Sequence, residues 1–341
     1  MQPEQYNLQS FDHLRITDTT DIPPPIPIVT INNEIICTEC NLTTISGSSK
    51  SGKSAFTGII LAGAISQTGI IDGLEYLEVK ANKDKKAVIH FDTEQARHKH
   101  QSNLRTILKR ADYTTCPDYF LSYNIRALDI SVYKEATLKI CEAANNACNG
   151  VHLIVIDGIA DFISDVNDTI PANEIVKFFE DLAIKFSCPL ITIVHTNPGS
   201  DKERGHLGSQ CQRKSESLLA IKNENDISYM EPKLLRMAGR GDVPILQFCY
   251  SKEKGYHVDM GVKSESESSK NEKRIKQLQK SAAKVFGGQK SLKYADAWNE
   301  VAESIGCAES TAKKNLAEMV ELGLIYKDDI GYYRLIQQNP F

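Results

Sequence analysis

The chain has 341 residues, 41% of them hydrophobic and 25% charged, with a formal net charge of −4. That length exceeds one ordinary core and predicts a main domain of roughly 200 residues with a smaller companion. The composition is that of a globular protein, with no apolar run long enough to cross a bilayer and no coat of basic charge, although a local basic patch stays compatible with it. The polar start Met1-Gln2-Pro3-Glu4-Gln5 lacks a secretory signal, so a cytoplasmic location without membrane contact is expected. Nine cysteines at irregular spacing read as reduced thiols. Cys37 and Cys40 lack the second Cys or His pair that zinc requires, so no metal is assigned to them.

In chain order, 1–27 reads as an N-terminal arm ending in the extended segment Pro23-Pro24-Pro25-Ile26-Pro27. Asn32-Asn33, between apolar stretches at 28–31 and 34–37, predicts a small hairpin leading into a core over 28–258. Strands are expected at 42–46, 87–92, 119–123, 153–157 and 190–195, and helices at 53–66, 132–147 and 172–186. Strands near 218–222, 228–231 and 245–250 complete the core. The alternation predicts an α/β fold, a mostly parallel sheet with helices on both faces and an antiparallel tail. The stretch 259–271 holds Ser264-Glu265-Ser266-Glu267-Ser268-Ser269-Lys270 and reads as a flexible linker to a domain over 272–341. No internal repeat is present.

The strand at 42–46 runs into Gly47-Ser48-Ser49-Lys50-Ser51-Gly52-Lys53-Ser54 and then into an apolar helix, the setting a phosphate-binding loop requires. Its glycines let backbone N–H groups converge on phosphates, Lys53 reaches the outer phosphate oxygens, and Ser54 can ligate Mg²⁺. The cofactors expected are therefore ATP and Mg²⁺. The buried-type strand Leu153-Ile154-Val155-Ile156-Asp157 ends in a carboxylate suited to holding Mg²⁺ through water.

Val88-Ile89-His90-Phe91-Asp92-Thr93-Glu94 resembles the strand of RecA-like ATPases that ends in the catalytic glutamate, which implies that Glu94 orients the attacking water. Gly158 follows Asp157, so the acid that AAA+ ATPases carry there is absent. Leu190-Ile191-Thr192-Ile193-Val194-His195 is similar to the sensor strand of the same family, with His195 meeting the γ-phosphate. From about 28 to 250 the set resembles the RepA-type plasmid replication helicases and the mobilisation and replication ATPases of bacterial mobile elements. That resemblance implies a RecA-like P-loop core, a homo-oligomeric ring of hexameric size and a single-stranded DNA partner.

It also implies a DNA-contacting loop after the sensor strand, where 197–214 carries Lys202, Arg204, His206, Arg213 and Lys214 between Gly199, Gly205 and Gly208. Lys233-Leu234-Leu235-Arg236-Met237-Ala238-Gly239-Arg240 falls between two tail strands, where Arg236 or Arg240 would reach a neighbouring subunit's γ-phosphate. Helices at 273–286, 293–305 and 309–322, followed by strands at 324–327 and 332–335, look like a winged helix. There Lys313 and Lys314 would face duplex DNA, while Glu309, Glu318, Asp328 and Asp329 nearby leave protein contact open. Two functions stay open from the sequence: a DNA-dependent helicase or mobilisation ATPase, and an ATP-switched DNA-binding regulator that moves no strand.

Overall fold

The structure is a computed structural model that describes residues 8–197, 200–263, 267–288 and 290–336, and the side chains of all of these except 8–10 and 267–273. Its contacts divide the chain into one unit ending at Lys263 and a second beginning at Ser264.

The first unit opens with β1 (Pro27–Ile31) and β2 (Glu34–Thr38), an antiparallel pair whose turn residues Asn32 and Asn33 both have positive φ. Asparagine tolerates that left-handed backbone, which suits the tight hairpin. Next come β3 (Leu42–Gly47), α1 (Lys53–Ile65), β4 (Leu77–Val79), β5 (Ala87–Asp92), α2 (Arg97–Arg110), β6 (Phe120–Asn124) and α3 (Ile130–Ala147). They are followed by β7 (Val151–Asp157), α4 (Thr169–Lys185), β8 (Leu190–His195), α5 (Gly205–Lys214), β9 (Ser217–Glu224), β10 (Ile227–Leu235), β11 (Leu246–Ser251) and β12 (Tyr256–Val262).

Nine of these strands form one sheet in the order β12-β11-β10-β9-β3-β8-β7-β5-β6, and β2-β1-β4 form a small separate sheet. From β9 to β6 every pairing is parallel, and β9 to β12 are antiparallel. The parallel strands are apolar along their length because both faces are covered. Side chains alternate between two cores as a strand's period of two requires. Val88 and Val155 join Phe56, Ile59 and Ile107 of α1 and α2 on one face. Ile89 and Ile156 join Tyr133, Ile175 and Phe179 of α3 and α4 on the other. This is the expected α/β arrangement, a mostly parallel sheet with helices on both faces and an antiparallel tail.

Two segments differ from expectation. Residues 205–214, expected as part of a mobile loop, form the helix α5; a side chain at Gly208 would meet the Glu203 backbone at 2.6 Å, so that glycine serves close packing and is not a break in the helix. Residues 97–110, where the sequence marks no element, form α2, whose buried set is only His100, Ile107, Leu108 and Arg110. That is too few apolar residues to give a helical period.

The second unit comprises α6 (Glu267–Phe286), β13 (Leu292–Lys293), α7 (Tyr294–Ile305), α8 (Glu309–Glu321), β14 (Ile325–Lys327) and β15 (Tyr332–Leu335). Its strands pair in the order β13-β15-β14, and its own core gathers Leu278, Phe286, Val301, Leu316, Met319 and Ile325. Within the stretch expected as linker, 259–262 belong to β12 and 267–271 to α6, because pairing with β11 carries the strand on to Val262; 264–266 lie outside the described residues.

Candidate functional site

The carboxyl ends of β3, β8, β7 and β5 lie side by side, with Gly47 opposite His195, Ile193 opposite Asp157 and Asp157 opposite Asp92. The crevice outside such strand ends is where open α/β sheets bind ligands. Here it is a cleft of about 880 Å³, bounded by the loop after β3, by Glu94, Asp157 and His195, and further out by α2 and the β11–β12 hairpin.

The loop 48–52 turns from β3 into α1 with Lys50 at φ 62° and Gly52 at φ 104°. A Cβ at Gly47 would stand 2.4 Å from the Ile221 carbonyl oxygen, and one at Gly52 would stand 2.5 Å from the Ser228 hydroxyl. Only glycine fits either place. Ser48, Ser49, Lys50 and Ser51 span the interval between them. The first turn of α1 has no side-chain cap and no acidic residue, so its N–H groups and partial positive charge face the cleft unopposed. The Ser51 hydroxyl is buried without a hydrogen-bond partner. Such a cradle fits a phosphate chain: convergent donors, a cation and a cleft of nucleotide size.

Lys53 begins α1 and is buried. Its ammonium donates to the carbonyls of Gly47 at 3.0 Å and Ser48 at 2.7 Å and lies 3.4 Å from His195 Nδ1. Burial pushes its pKa down, against the pull of Glu94 and Asp157. His195 Nε2 approaches Glu94 Oε1 at 3.1 Å. That bond, with the charges of His195 and Lys53, holds the Glu94 carboxyl below its ordinary range although burial opposes it. Burial, with Asp92 and Glu94 close by, pushes Asp157 up to about 7. Ser54 lies in the first turn of α1 and lines the same cleft. Among the described residues no group of three His, Cys, Asp or Glu side chains is set to hold a metal by itself. A hard cation here would be held by Ser54, by Asp157 and by phosphate oxygens.

The turn carrying Glu94 is pinned to the end of β7. Thr93 Oγ1 lies 2.7 Å from Asp161 Oδ2 and 3.1 Å from the carbonyls of Asp157 and Gly158. Gly158 has φ 102°, and a Cβ there would overlap the Thr93 hydroxyl at 2.0 Å. Sequence reading missed the residues that α2 brings to the cleft, Lys99, Asn103 and Arg110. The Arg110 guanidinium stacks 4.4 Å over the Tyr256 ring and donates to the carbonyls of Asp72 and His257, tying α2 to the β11–β12 hairpin.

The other residues singled out from the sequence lie away from this cleft. Lys202, Arg204 and His206 are exposed, and Arg204 N donates to the His195 carbonyl at 3.0 Å; Gly199 lies outside the described residues. Arg213 and Lys214 sit on α5 and are engaged, Arg213 with Gln210 and Lys214 with Glu180 at 3.2 Å, so neither belongs to a free loop. Arg236 follows Leu235, which pairs with Ser217 at the start of β9, and so lies at the end of the sheet away from the cradle. Its guanidinium donates to the Arg213 carbonyl at 2.5 Å. Arg240 is exposed. Neither arginine reaches the cleft of its own chain. Lys313 pairs with Glu309 at 2.6 Å and lies 4.9 Å from the Trp298 ring, while Lys314 is exposed.

No family model matches this chain, and no curated protein does. Among solved structures it is similar to one described as an ATPase domain, at 12% identity and a TM-score of 0.44, over 65% of this chain and 86% of that one. No helix of the described residues is long and apolar enough to cross a membrane.

Proposed function

We propose that this chain is a Mg²⁺-dependent ATPase that acts on DNA, as a ring-forming helicase or as a mobilisation or replication ATPase of a bacterial mobile element. The observation that carries the reading is the convergence of Lys53, Glu94, Asp157 and His195 on a glycine-walled loop at the mouth of a parallel sheet. Lys53 would leave the Gly47 and Ser48 carbonyls for the phosphate oxygens. Ser54 and, through water, Asp157 would hold a Mg²⁺ ion, whose charge offsets that of the phosphates. Glu94, ionised and fixed by His195, would orient the attacking water and accept its proton. His195 touches both Lys53 and Glu94, a position from which the state of the phosphates can reach the loop that starts at Thr196.

That loop supports the DNA reading. Thr196 bridges to Glu203, and Arg204 is bonded to the His195 carbonyl, so the exposed Lys202, Arg204 and His206 are tied by backbone to the sensor position. Phosphate contact would come from these side chains, with Lys314 and the wing of the second unit as a separate duplex-facing element.

ATP turnover with and without single-stranded DNA, beside the Lys53→Ala variant, tests the proposal. Turnover should need Mg²⁺, rise with DNA and vanish in Lys53→Ala together with tight ATP binding. Turnover indifferent to DNA, with no duplex unwound, would favour the ATP-switched regulator, and unchanged ATP affinity in Lys53→Ala would remove the site altogether.

A further inference from the structure

Behind Glu94 lies a chain of buried polar groups that the hydrolysis chemistry above does not use. We propose that His100 is a positioning residue for Glu94, acting through Asp92 at the head of the hydrogen-bond chain His90–Ser122–His100–Asp92. The inference rests on the reading of Glu94 as the water-orienting group.

Glu94 occupies the short link between β5 and α2, whose N-cap residue Ala96 offers no side-chain cap. The free N–H groups of that link go to Asp92 Oδ1 instead, Glu94 N at 3.0 Å and Gln95 N at 2.8 Å. The other carboxylate oxygen, Oδ2, meets His100 Nδ1 at 2.8 Å. His100 Nε2 lies 2.9 Å from Ser122 Oγ, which lies 3.0 Å from His90 Nδ1. The two imidazoles are stacked at 5.4 Å with an interplanar angle of 7°. Asp92, His100 and His90 are all buried.

The chemistry of the Asp92 carboxyl sets the direction of the bond that joins it to His100. The Asp92 carboxyl is held below its ordinary range, since the bonds from His100 and Gln95 outweigh burial, so it is ionised and only accepts. His100 Nδ1 must then donate. Ser122 Oγ completes the chain between His100 Nε2 and His90 Nδ1, since a hydroxyl can donate to one ring and accept from the other. Burial and the neighbouring His100 push His90 down to about 4, so it stays neutral at physiological pH. The donor at His100 Nδ1 thereby fixes Asp92 in the rotamer that holds the Glu94 backbone. Without the His100 bond that carboxylate can rotate away from the N–H groups of Glu94 and Gln95. The Glu94 side chain, which has 3.1 Å contact with His195, then loses its bearing.

The test compares two replacements in the full chain. The side-chain amide nitrogen of His100→Asn falls near Nδ1 and that of His100→Gln near Nε2, so only the first restores the donor to Asp92. His100→Gln should lower kcat roughly 10- to 100-fold with ATP affinity unchanged, the scale of a small misplacement at a reacting centre. His100→Asn should keep most of the rate, and in a Glu94→Gln background His100→Gln should cost nothing further. Ring-nitrogen spectra of the nucleotide-free chain should show a proton on His100 Nδ1. An Nε2–H tautomer, wild-type turnover by His100→Gln, or equal loss of affinity and rate in both variants would overturn the positioning role. Normal turnover by Glu94→Gln alone would instead overturn the reading of Glu94 on which it rests.

Discussion

Gly47 is the last residue of the central strand, and the absence of a side chain there is a packing requirement. A methyl group would push into the backbone oxygen of Ile221 on β9, which cannot swing aside as a flexible side chain can. Gly47→Ala should therefore cost about 1–3 kcal/mol, the range of overpacked cores, and show as a lower denaturant midpoint. It should also displace the cradle and weaken ATP binding, whereas Lys53→Ala should weaken binding at unchanged stability. Residues of this kind are legible without a structure, because Gly47, Gly52, Lys53 and Ser54 act within one turn of chain and their spacing carries the geometry. His195 is legible as the polar end of an apolar strand, and Glu94 through the resemblance of the segment 88–94 to its counterpart in RecA-like ATPases. Asp92, His100 and Ser122 are not, since what joins them is the placement of α2 over β5 and β6, which no local pattern encodes.

Among the elements, the parallel strands were readable because burial on both faces leaves them uniformly apolar, and their observed limits fall within a few residues of those expected. α2 and α5 were not, for opposite reasons: α2 has too few apolar residues to mark a face, and α5 has two glycines that look like breaks. β7 carries a further consequence. His152, near its start, is buried, and its Nε2 bonds the Lys80 carbonyl at 3.0 Å. Burial pushes its pKa from 6.5 down to about 4. The unfolded chain then takes up a proton near pH 6.5 that the folded chain refuses until about pH 4. Stability contributed by the neutral ring is thus complete above that window and is lost as pH falls through it, by about 3 kcal/mol at most. His152→Gln keeps a donor at the same position without the titration. Denaturant midpoints at pH 7 and pH 5 should lie closer together in that variant than in the parent chain.

At the scale of the whole molecule, the two units have separate cores with no residue in common. A chain ending at Lys263 should therefore retain ATP binding, as measured by titration. The ring reading makes a sharper demand on the two exposed arginines. Arg236 already donates to the Arg213 carbonyl, while Arg240 has no hydrogen bond or ion pair among the described residues, so Arg240 is the better placed to reach a neighbouring copy. Arg240→Ala should leave ATP binding intact and lower turnover by about 10³- to 10⁵-fold, the usual worth of a transition-state cation supplied in trans. Mixing it with Glu94→Gln subunits should restore part of the activity, because some interfaces then combine an intact Glu94 with an intact arginine. Normal hydrolysis by Arg240→Ala would exclude it as the shared residue.

The position of β3 has a consequence for how this protein comes into being. Its neighbours in the sheet are β8 and β9, and the Thr44 hydroxyl bonds Thr192 and Ser215, which are 148 and 171 residues further along the chain. At ribosomal speed the segment proposed to cradle the phosphates therefore waits about 7 to 30 s before either flanking strand exists. During that interval the segment lacks both of the strands it pairs with in the folded sheet, so it should not yet recognise a ligand. Nascent chains stalled before β9 should not be retained on immobilised ATP, and chains stalled with β12 clear of the exit tunnel should be.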